Sequence, residues 1–285
     1  MNPSMKIAAT LCALIALCSS AASAKPLVVG VEDQAFAPHY FIDPQGQYQG
    51  YARELLETFA RSEGIELIYK PMPVDRLLPA LLDGSIDFKY PDNANWGVAL
   101  KASRPLVYSE PLVEFVDGVL VAPKRLGVGL PALKKLAVAD GWSLPGDTYQ
   151  QGVAAGSLER VAVDDLPQMI SEALRGKVDG VYFNVVVASY YLDNIRARPG
   201  ALVFDPALPY TRSTYSLSTF KHPEVVQQMD RFLQQHRDEV KALKEKYQVE
   251  ANLDSEFLGM EQWKINFIKR QREREKAMPA PLEKQ

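Results

Sequence analysis

Cysteine is nearly absent from this chain, since the 285 residues contain only Cys12 and Cys18. Both lie in the first 24 residues, which we expect to be removed on secretion. The mature chain would then hold no thiol, which excludes cysteine catalysis, zinc ribbons, iron–sulfur ligation and disulfides. The histidines, His39, His222 and His236, show no metal-ligand spacing. We therefore expect neither a metal nor a cofactor.

Long apolar runs are also missing. The longest spans residues 7–17, about eleven residues, whereas a membrane-spanning helix needs roughly twenty. It follows Lys6 and precedes Ala22-Ser23-Ala24, which is the charged start, apolar core and small-residue cleavage site of a secretory signal peptide. The pattern predicts a signal peptide over residues 1–24, a mature chain from Lys25 and a periplasmic location.

Neither sign of charge is in large excess. The chain has 32 lysines and arginines against 35 aspartates and glutamates, a formal net charge of −3. This balance gives no basic footprint for nucleic acid. The sequence also lacks Gly-x-Ser-x-Gly, a phosphate-binding loop and His-Glu-x-x-His. We expect no nucleic-acid partner, and we assign no catalytic residue.

One α/β pattern occurs twice. Residues 77–88 and 169–180 each read as an amphipathic helix, a glycine, a β-branched residue, an aspartate and the start of a strand. Glycine can adopt the left-handed conformation that ends a helix, and Ile or Val favours an extended segment. The repeat predicts two similar α/β lobes with a ligand cleft between them.

Strand and helix patterns alternate along the rest of the chain. A βαβαβ order over residues 27–90 favours a parallel sheet with right-handed crossovers, and a second α/β series covers residues 136–204. Two long extended segments, residues 106–122 and 212–220, suit strands that cross from one lobe to the other.

The C-terminal part is predicted to be helical. One long helix is expected over residues 222–247, with Pro223 in its first turn. Phe257, Met260, Trp263 and Phe267 recur at helical spacing in the tail. This last helix is expected to dock on the protein's own body, and a docking face for a partner is the alternative.

The residues after the first strand resemble a known family. Phe36-Ala37-Pro38-His39-Tyr40-Phe41, followed by Gly46 and Gly50-Tyr51, is similar to the corresponding loop of extracytoplasmic solute-binding proteins of family 3, the amino-acid-binding type. The Leu-x-x-Gly-x-Ile-Asp strand start, the Tyr108-Ser109-Glu110-Pro111 turn and the second-lobe Gly-x-Val-Asp also fit. Together these matches cover most of residues 25–247.

The resemblance implies an α/β, two-lobed, type II periplasmic-binding-protein-like fold. Each lobe would be a mostly parallel sheet flanked by helices, and two crossing strands would form the hinge. Lobe 1 would comprise residues 25–115 and 212–250, lobe 2 residues 116–211, and the C-terminal helix and tail residues 251–285.

The implied function is capture of a small polar solute, amino-acid-like or a derivative, in the cleft of a monomeric protein. The solute would be delivered to the permease of an ABC importer. One alternative is a periplasmic sensing module for a membrane receptor. Another is a cyclohexadienyl or arogenate-type dehydratase that uses a cleft acid as its general acid.

Two departures from the family pattern concern the ligand. The family usually has Thr-x-x-Arg after the strand that begins at Asp87, and its arginine holds an α-carboxylate, but residues 91–99 contain no arginine. The second-lobe aspartate that holds an α-ammonium is replaced by Asn184, and an amide carries no charge. These departures argue against an ordinary free α-amino acid and leave Arg76 or Arg104 as candidates for the missing cation.

Ligand contacts are expected where loops follow the carboxyl ends of parallel strands, and at a helix N-terminus with free N–H groups. Aromatic rings would stack on the solute and polar groups would bind it. The candidates are Phe36, Arg76, Asp92, Asn93, Trp96, Tyr108, Ser109, Trp142, Thr148 and Asn184. Packing, turn formation and capping by Asp147 are the competing structural roles.

Overall fold

A computed structural model describes residues 25–102, 104–140, 142–253, 255, 257–258 and 262–277. The predicted signal peptide and both cysteines lie outside the described residues, as do Gly141, Met260 and residues 278–285. Within the described ranges, no helix has the length and apolar character that crossing a membrane requires.

The first α/β unit, residues 27–92, follows the predicted alternation of strands and helices. Its elements are β1 (Leu27–Glu32), β2 (Phe41–Ile42), β3 (Tyr48–Gln49), α1 (Tyr51–Glu63), β4 (Leu67–Met72), α2 (Val74–Asp83) and β5 (Phe88–Asp92). β1 pairs in parallel with both β4 and β5, which gives the order β4-β1-β5. The short hairpin β2-β3 lies in a segment that the sequence pattern predicts as a loop.

Three elements connect this unit to a second one. They are α3 (Val98–Lys101), β6 (Val107–Tyr108) and β7 (Val113–Val121). The second α/β unit, residues 135–190, contains β8 (Lys135–Ala139), α4 (Gly146–Ala154), β9 (Glu159–Val163), α5 (Leu166–Leu174), β10 (Gly180–Asn184) and α6 (Val185–Tyr190). β8 pairs in parallel with β9 and β10. A turn of π-helix, Tyr191–Ile195, follows α6 directly.

All strands except β2 and β3 join one mixed sheet, which includes β11 (Val203–Phe204) and β12 (Thr211–Thr219). The predicted crossing segments become β7 and β12, which lie antiparallel to each other. β12 also pairs with β5, and β7 also pairs with β10. The predicted α/β class is confirmed, but the expected pair of separate sheets is replaced by one continuous sheet, because β12 pairs with strands on both sides.

The repeated pattern has the same structural basis in both copies. Gly84 ends α2 with a φ of 85°, and Gly176 follows α5 with a φ of 70°, both in the left-handed region. The side chain of Asp87 accepts the backbone N–H of Val28 at 2.9 Å. Asp179 accepts two backbone N–H groups at the start of β8, at 2.7 and 2.9 Å. Each aspartate therefore fixes the first residues of the neighbouring parallel strand.

Helices cover the sheet with the apolar faces that their periodicity predicts. α1 buries Leu55, Leu56 and Phe59, and α5 buries Met169 and Ile170. These residues belong to one core that extends over both α/β units. The packing holds the carboxyl ends of the parallel strands, and the loops that follow them, in fixed positions.

The long C-terminal helix is not continuous, so the prediction of one helix over residues 222–247 is wrong. α7 (Pro223–Gln235) ends at His236, whose φ of −108° and ψ of 33° are not helical, and α8 (Arg237–Tyr247) begins immediately after it. Both helices contact α1. The break lets each of them turn its own apolar residues towards the body.

The described part of the tail docks on the protein. In α9 (Gln262–Ala277), Ile265 is buried against Val203, and Lys264 forms an ion pair with Asp193. Trp263 is 56% exposed. The start of this helix therefore packs on the chain's own body, as the first interpretation predicts.

Candidate functional site

Aromatic side chains gather where the carboxyl ends of β1, β5, β8 and β10 meet the central strands. Their rings and one imidazole are connected through successive contacts, and we call this group the aromatic cluster. Its members are Phe36, His39, Tyr40, Trp96, Phe115, Trp142, Phe183 and Tyr215.

One side of the cluster joins the two α/β units. Trp142 stacks on Phe183, with ring centroids 4.9 Å apart and planes inclined by 7°. Phe183, on β10, lies 5.6 Å from Phe36, which follows β1. Phe36 also stacks on Tyr40 at 5.1 Å. Rings from both units therefore meet in direct contact.

The other side of the cluster lies over the central strands. Phe115 on β7 stacks on Tyr215 on β12 at 4.3 Å, and Trp96 lies 6.2 and 5.9 Å from these two rings. Trp96 is 38% exposed, so one part of its ring remains available to a solute. His39 connects the two sides, at 6.0 Å from Phe36 and 5.7 Å from Tyr215.

His39 is a neutral member of the cluster. Its side chain is fully buried, and neither ring nitrogen has a hydrogen-bond partner among the described residues. Burial lowers the pKa of the imidazole to about 3. The ring therefore contributes no positive charge at neutral pH.

Two acidic side chains border the cluster, one from each side. Glu32, at the end of β1, is 8% exposed and accepts a hydrogen bond from the Tyr40 hydroxyl. Burial raises the pKa of the Glu32 carboxyl, although this hydrogen bond and the charge of Lys89 oppose the shift. Asp117, on β7, has the pKa of its carboxyl raised by burial to about 7.

A buried ionic group lies beside Trp96. Asp92, at the end of β5, is 0% exposed, and its Oδ1 lies 3.0 Å from both Lys89 Nζ and Lys101 Nζ. Its Oδ2 accepts the Ser218 hydroxyl at 2.6 Å. A buried carboxylate with these partners holds two ammonium groups close together.

Both ammonium groups reach aromatic rings of the site. Lys89 Nζ lies 5.6 Å from the Trp96 ring, and Lys101 Nζ lies 5.1 Å from the Tyr108 ring. Lys89 also donates to the Pro91 carbonyl at 2.5 Å. Burial lowers the pKa of Lys89, and Asp92 opposes that shift. Sequence reasoning missed both lysines as candidates for the cation that the arginine usually provides.

The structure brings five of the predicted residues to this site. Phe36, Trp96 and Trp142 belong to the aromatic cluster, and Asp92 and Asn93 lie beside it. Asn93 also has a structural function, because its Nδ2 donates to Ser213 Oγ at 3.0 Å and to the Thr214 carbonyl at 2.9 Å. It therefore ties the end of β5 to β12.

Asn184 lies behind the surface of the site. It is 0% exposed, its Oδ1 accepts the Val187 N–H at 3.1 Å, and its Nδ2 donates to Asp117 Oδ1 at 3.2 Å. Its side chain thus caps α6 and contacts the acid on the neighbouring strand. Asp117 is the residue that sequence reasoning did not identify here.

The remaining candidates lie outside the cluster. The Tyr108 ring lies beside Lys101 rather than on a ring of the cluster, and Ser109 Oγ accepts the Leu217 N–H at 3.0 Å, which joins two backbone segments. Arg76 and Thr148 are exposed on α2 and α4, with no side-chain contact to the cluster in the described structure. Arg104, the alternative cation, is exposed and lies over the Phe220 ring at 4.5 Å.

A surface cavity of about 500 Å³ lies elsewhere, between Pro111 and the α7–α8 region. Four of its charged groups form ion pairs, Lys244 with Glu250 at 2.7 Å and Lys241 with Glu245 at 3.8 Å. Among the described residues, no aromatic ring lines this cavity. The aromatic cluster is the better candidate for solute binding, since it combines rings, buried charges and two structural units.

Comparison with known proteins gives a family match over most of the chain. Residues 27–250 match the model of the bacterial extracellular solute-binding proteins, family 3. A probable histidine-binding protein of Neisseria gonorrhoeae is 28% identical over 201 residues, which is 68% of this chain and 71% of that protein.

Solved structures share the fold. An ancestral arginine-binding protein bound to arginine has a TM-score of 0.59 at 22% identity, over 78% of this chain and 97% of that one. The arginine-, lysine-, histidine-binding protein ArtJ of Geobacillus stearothermophilus has a TM-score of 0.57 at 21% identity, over 78% of this chain and 95% of that one. A histidine kinase sensor domain with similarity to periplasmic binding proteins has a TM-score of 0.60 at 17% identity, over 78% of this chain and 96% of that one.

Proposed function

The chain belongs to the bacterial extracellular solute-binding proteins of family 3, and we propose that its solute is an amino acid with a cationic side chain, delivered to an ABC importer. Membership of this family confirms the prediction of a binding protein rather than an enzyme. The names of the relatives, one histidine-binding and others arginine-binding, support the proposed class of solute.

The observation that carries the proposal is the charge beside the aromatic cluster. Three buried or partly buried acids border the site, namely Glu32, Asp92 and Asp117, against two lysines, Lys89 and Lys101. When all are ionised, one negative charge is in excess. Aromatic faces attract cations, and buried charges are stable only when they are paired. A solute with a surplus positive charge satisfies both requirements.

The same site offers donors for a carboxylate. Lys89 and Lys101 each have three N–H donors. Lys89 has two protein acceptors, Pro91 and Asp92, whereas Lys101 has Asp92, Asn93 and the Tyr108 hydroxyl as partners. The donor that remains on Lys89 would bind a solute carboxylate beside Trp96, and the charge of Lys101 would add to the attraction. Two lysine point charges would then replace the bidentate arginine fork of the family and loosen the geometric constraint on the carboxylate. The missing arginine therefore does not argue against a free α-amino acid, although the sequence alone suggests that it does.

We also propose that the two α/β units act as lobes around the solute. Residues 25–115 with 212–250 would move relative to residues 116–211, with β7 and β12 as the hinge. The contact between Phe36 and Phe183 supports a closed arrangement. A solute that turns a 1:99 equilibrium into 99:1 must favour the closed form by about 5.5 kcal/mol.

Delivery to an importer, rather than sensing, is proposed from the family. The same fold occurs in a histidine kinase sensor domain, so the fold does not decide between these roles. Uptake of radiolabelled arginine into cells with and without this gene separates them. Loss of uptake on deletion supports delivery, and unchanged uptake contradicts it.

Solute class is tested by thermal unfolding of the mature chain, residues 25–285, with single amino acids. A ligand at one hundred times its Kd stabilises the native state by about 2.7 kcal/mol. We expect arginine, lysine or histidine to raise the Tm, and glutamate and leucine not to. Stabilisation by glutamate or leucine, without any by the three cationic amino acids, would contradict the proposal.

A further inference from the structure

Asp117 and Asn184 form a pair across neighbouring strands. They are direct partners in the antiparallel register of β7 and β10, and Nδ2 of Asn184 donates to Oδ1 of Asp117 at 3.2 Å. On β12, Thr211 is the register partner of Asp117 from the other side. The carboxylate therefore lies where the three strands meet, at the carboxyl end of β10.

The amide of Asn184 has a fixed orientation. Its Oδ1 accepts the Val187 N–H in the first turn of α6, so its NH₂ group must point to Asp117. The residue is 0% exposed. Its side chain has no surface for a solute, so its effect on binding passes through the partners of its NH₂ group, Asp117 and Tyr215.

Asp117 is the member of the pair that remains partly exposed. Among the described residues, Oδ2 receives no hydrogen bond and no lysine or arginine forms an ion pair with the carboxylate. The side chain also lies close to the aromatic cluster, because Asp117 and Phe115 are two residues apart on β7 and share one face of the sheet. A partly exposed acid without a cation, beside rings that attract cations, is an incomplete ion pair.

We propose that the carboxylate of Asp117, positioned by Asn184, is the counter-ion for a positively charged nitrogen of the solute. This inference rests on the proposed function and assigns a residue to it. Asp117 on the neighbouring strand β7 takes the place of the acid expected at position 184, and the amide of Asn184 holds its carboxylate in position.

Asp117 is the group that titrates where β7, β10 and β12 meet, because its neighbours there keep their charge state. Tyr182 on β10 and Tyr215 on β12 both have a pKa raised by burial, so they remain neutral between pH 5 and 8. Asn184 and Thr211 do not titrate. Glu32 and Asp92 are the other acids of the site, and both are unchanged in any variant at position 117.

The first test is calorimetric titration of the mature protein with arginine at pH 8. Asp117→Asn keeps the size of the side chain and its hydrogen bond from Asn184, but removes the charge. We expect arginine binding to weaken at least about 30-fold, as when one partner of a buried charge pair is lost. Glu159→Gln, which removes an exposed partner of Lys135 on β9, is the matched control and should bind like wild type.

The second test exchanges the two residues. In Asp117→Asn combined with Asn184→Asp, the amide–carboxylate pair is kept and the charge moves to β10. Because the side chain at 184 has no surface for a solute, we expect this double variant to bind arginine as weakly as Asp117→Asn. A purely structural role for Asp117 predicts recovery, because the amide–carboxylate pair is kept, so a double variant that binds like wild type would overturn the inference.

The third readout is the pH profile. Because the pKa of Asp117 is raised to about 7, arginine affinity of the wild type should rise between pH 5 and 8, and the rise should be smaller in Asp117→Asn. Equal slopes, or equal affinities at pH 8, would overturn the inference while leaving the proposed function intact. A wild-type protein that binds no cationic amino acid would contradict both.

Discussion

Replacing Asp92 by asparagine should destabilise the protein more than any exposed charge substitution. The wild-type carboxylate is bound by two ammonium groups and one hydroxyl. The side-chain exposures are 1% for Asp92, 7% for Lys89 and 9% for Lys101. An asparagine has the same shape but leaves both ammonium groups without a counter-charge, in a place that water hardly reaches.

The expected loss follows from this burial. Removing one partner of a buried ion pair costs about 3 to 5 kcal/mol, because an uncompensated charge remains in a poorly solvated place. The free energy of unfolding of a typical domain is about 5 to 15 kcal/mol, so the variant would lose a large part of its stability. Urea unfolding of the mature protein at pH 7, followed by tryptophan fluorescence, measures the difference.

The control is an ion pair of the same chemistry at the surface. Glu159 and Lys135 are 2.8 Å apart, but their side chains are 58% and 50% exposed. Glu159→Gln should therefore cost far less stability than Asp92→Asn, because water and salt screen an exposed pair. If Asp92→Asn unfolds too readily to be measured, Lys101→Met, which leaves Lys89 as a partner, should show an intermediate loss. Equal losses for Asp92→Asn and Glu159→Gln would refute the reasoning.

Three further outcomes are expected. Trp96→Ala should weaken arginine binding, measured by calorimetry, with little change in urea unfolding because the ring is 38% exposed; normal binding would remove Trp96 from the site. The pKa of Asp117 is about 7 in the folded protein against 3.8 normally, so the wild type loses stability as the pH rises from 4 to 7. Asp117→Asn lacks this acid and should gain stability relative to the wild type over the same range. A stability difference that does not change with pH would contradict this prediction. Gly30→Ala should lose about 1 to 3 kcal/mol, because its Cβ would lie 2.3 Å from Ile86 Cδ1. Gly152→Ala in α4 meets only ordinary contacts from 3.4 Å and should be neutral or stabilising, so similar losses for both glycine variants would contradict the packing argument.

Local signals in the sequence were sufficient for most of the elements. The glycines at 84 and 176 mark the ends of α2 and α5, and the alternation predicted over residues 27–90 is present as β1, α1, β4, α2 and β5. Periodicity and a stop signal are properties of neighbouring residues. The break at His236 was missed because the apolar spacing continues through it, and only the packing against α1 requires two helices.

The site was predictable only in part for the same reason. Phe36, Trp96 and Trp142 follow strands, and they were selected for that position. Lys89 alternates along β5 like a solvent-facing residue, and its burial depends on Asp92 and Lys101 at the end of that strand.

Asp117 shows the limit most clearly. Its partner Asn184 is 67 residues away in sequence, and only the register of β7 with β10 places the two side chains together. Nothing in the residues around position 117 indicates an acid that faces a solute. A search restricted to the expected position, 184, finds an amide and misses the carboxylate beside it.

The central claim, that carboxylates around an aromatic cluster select a positive charge, is tested most directly by comparing arginine with citrulline. The two amino acids have side chains of the same length, and only arginine carries the charge. In calorimetric titrations of the mature protein at pH 8, we expect arginine to bind at least about 30-fold more tightly. Equal affinities, or binding of citrulline alone, would contradict the account.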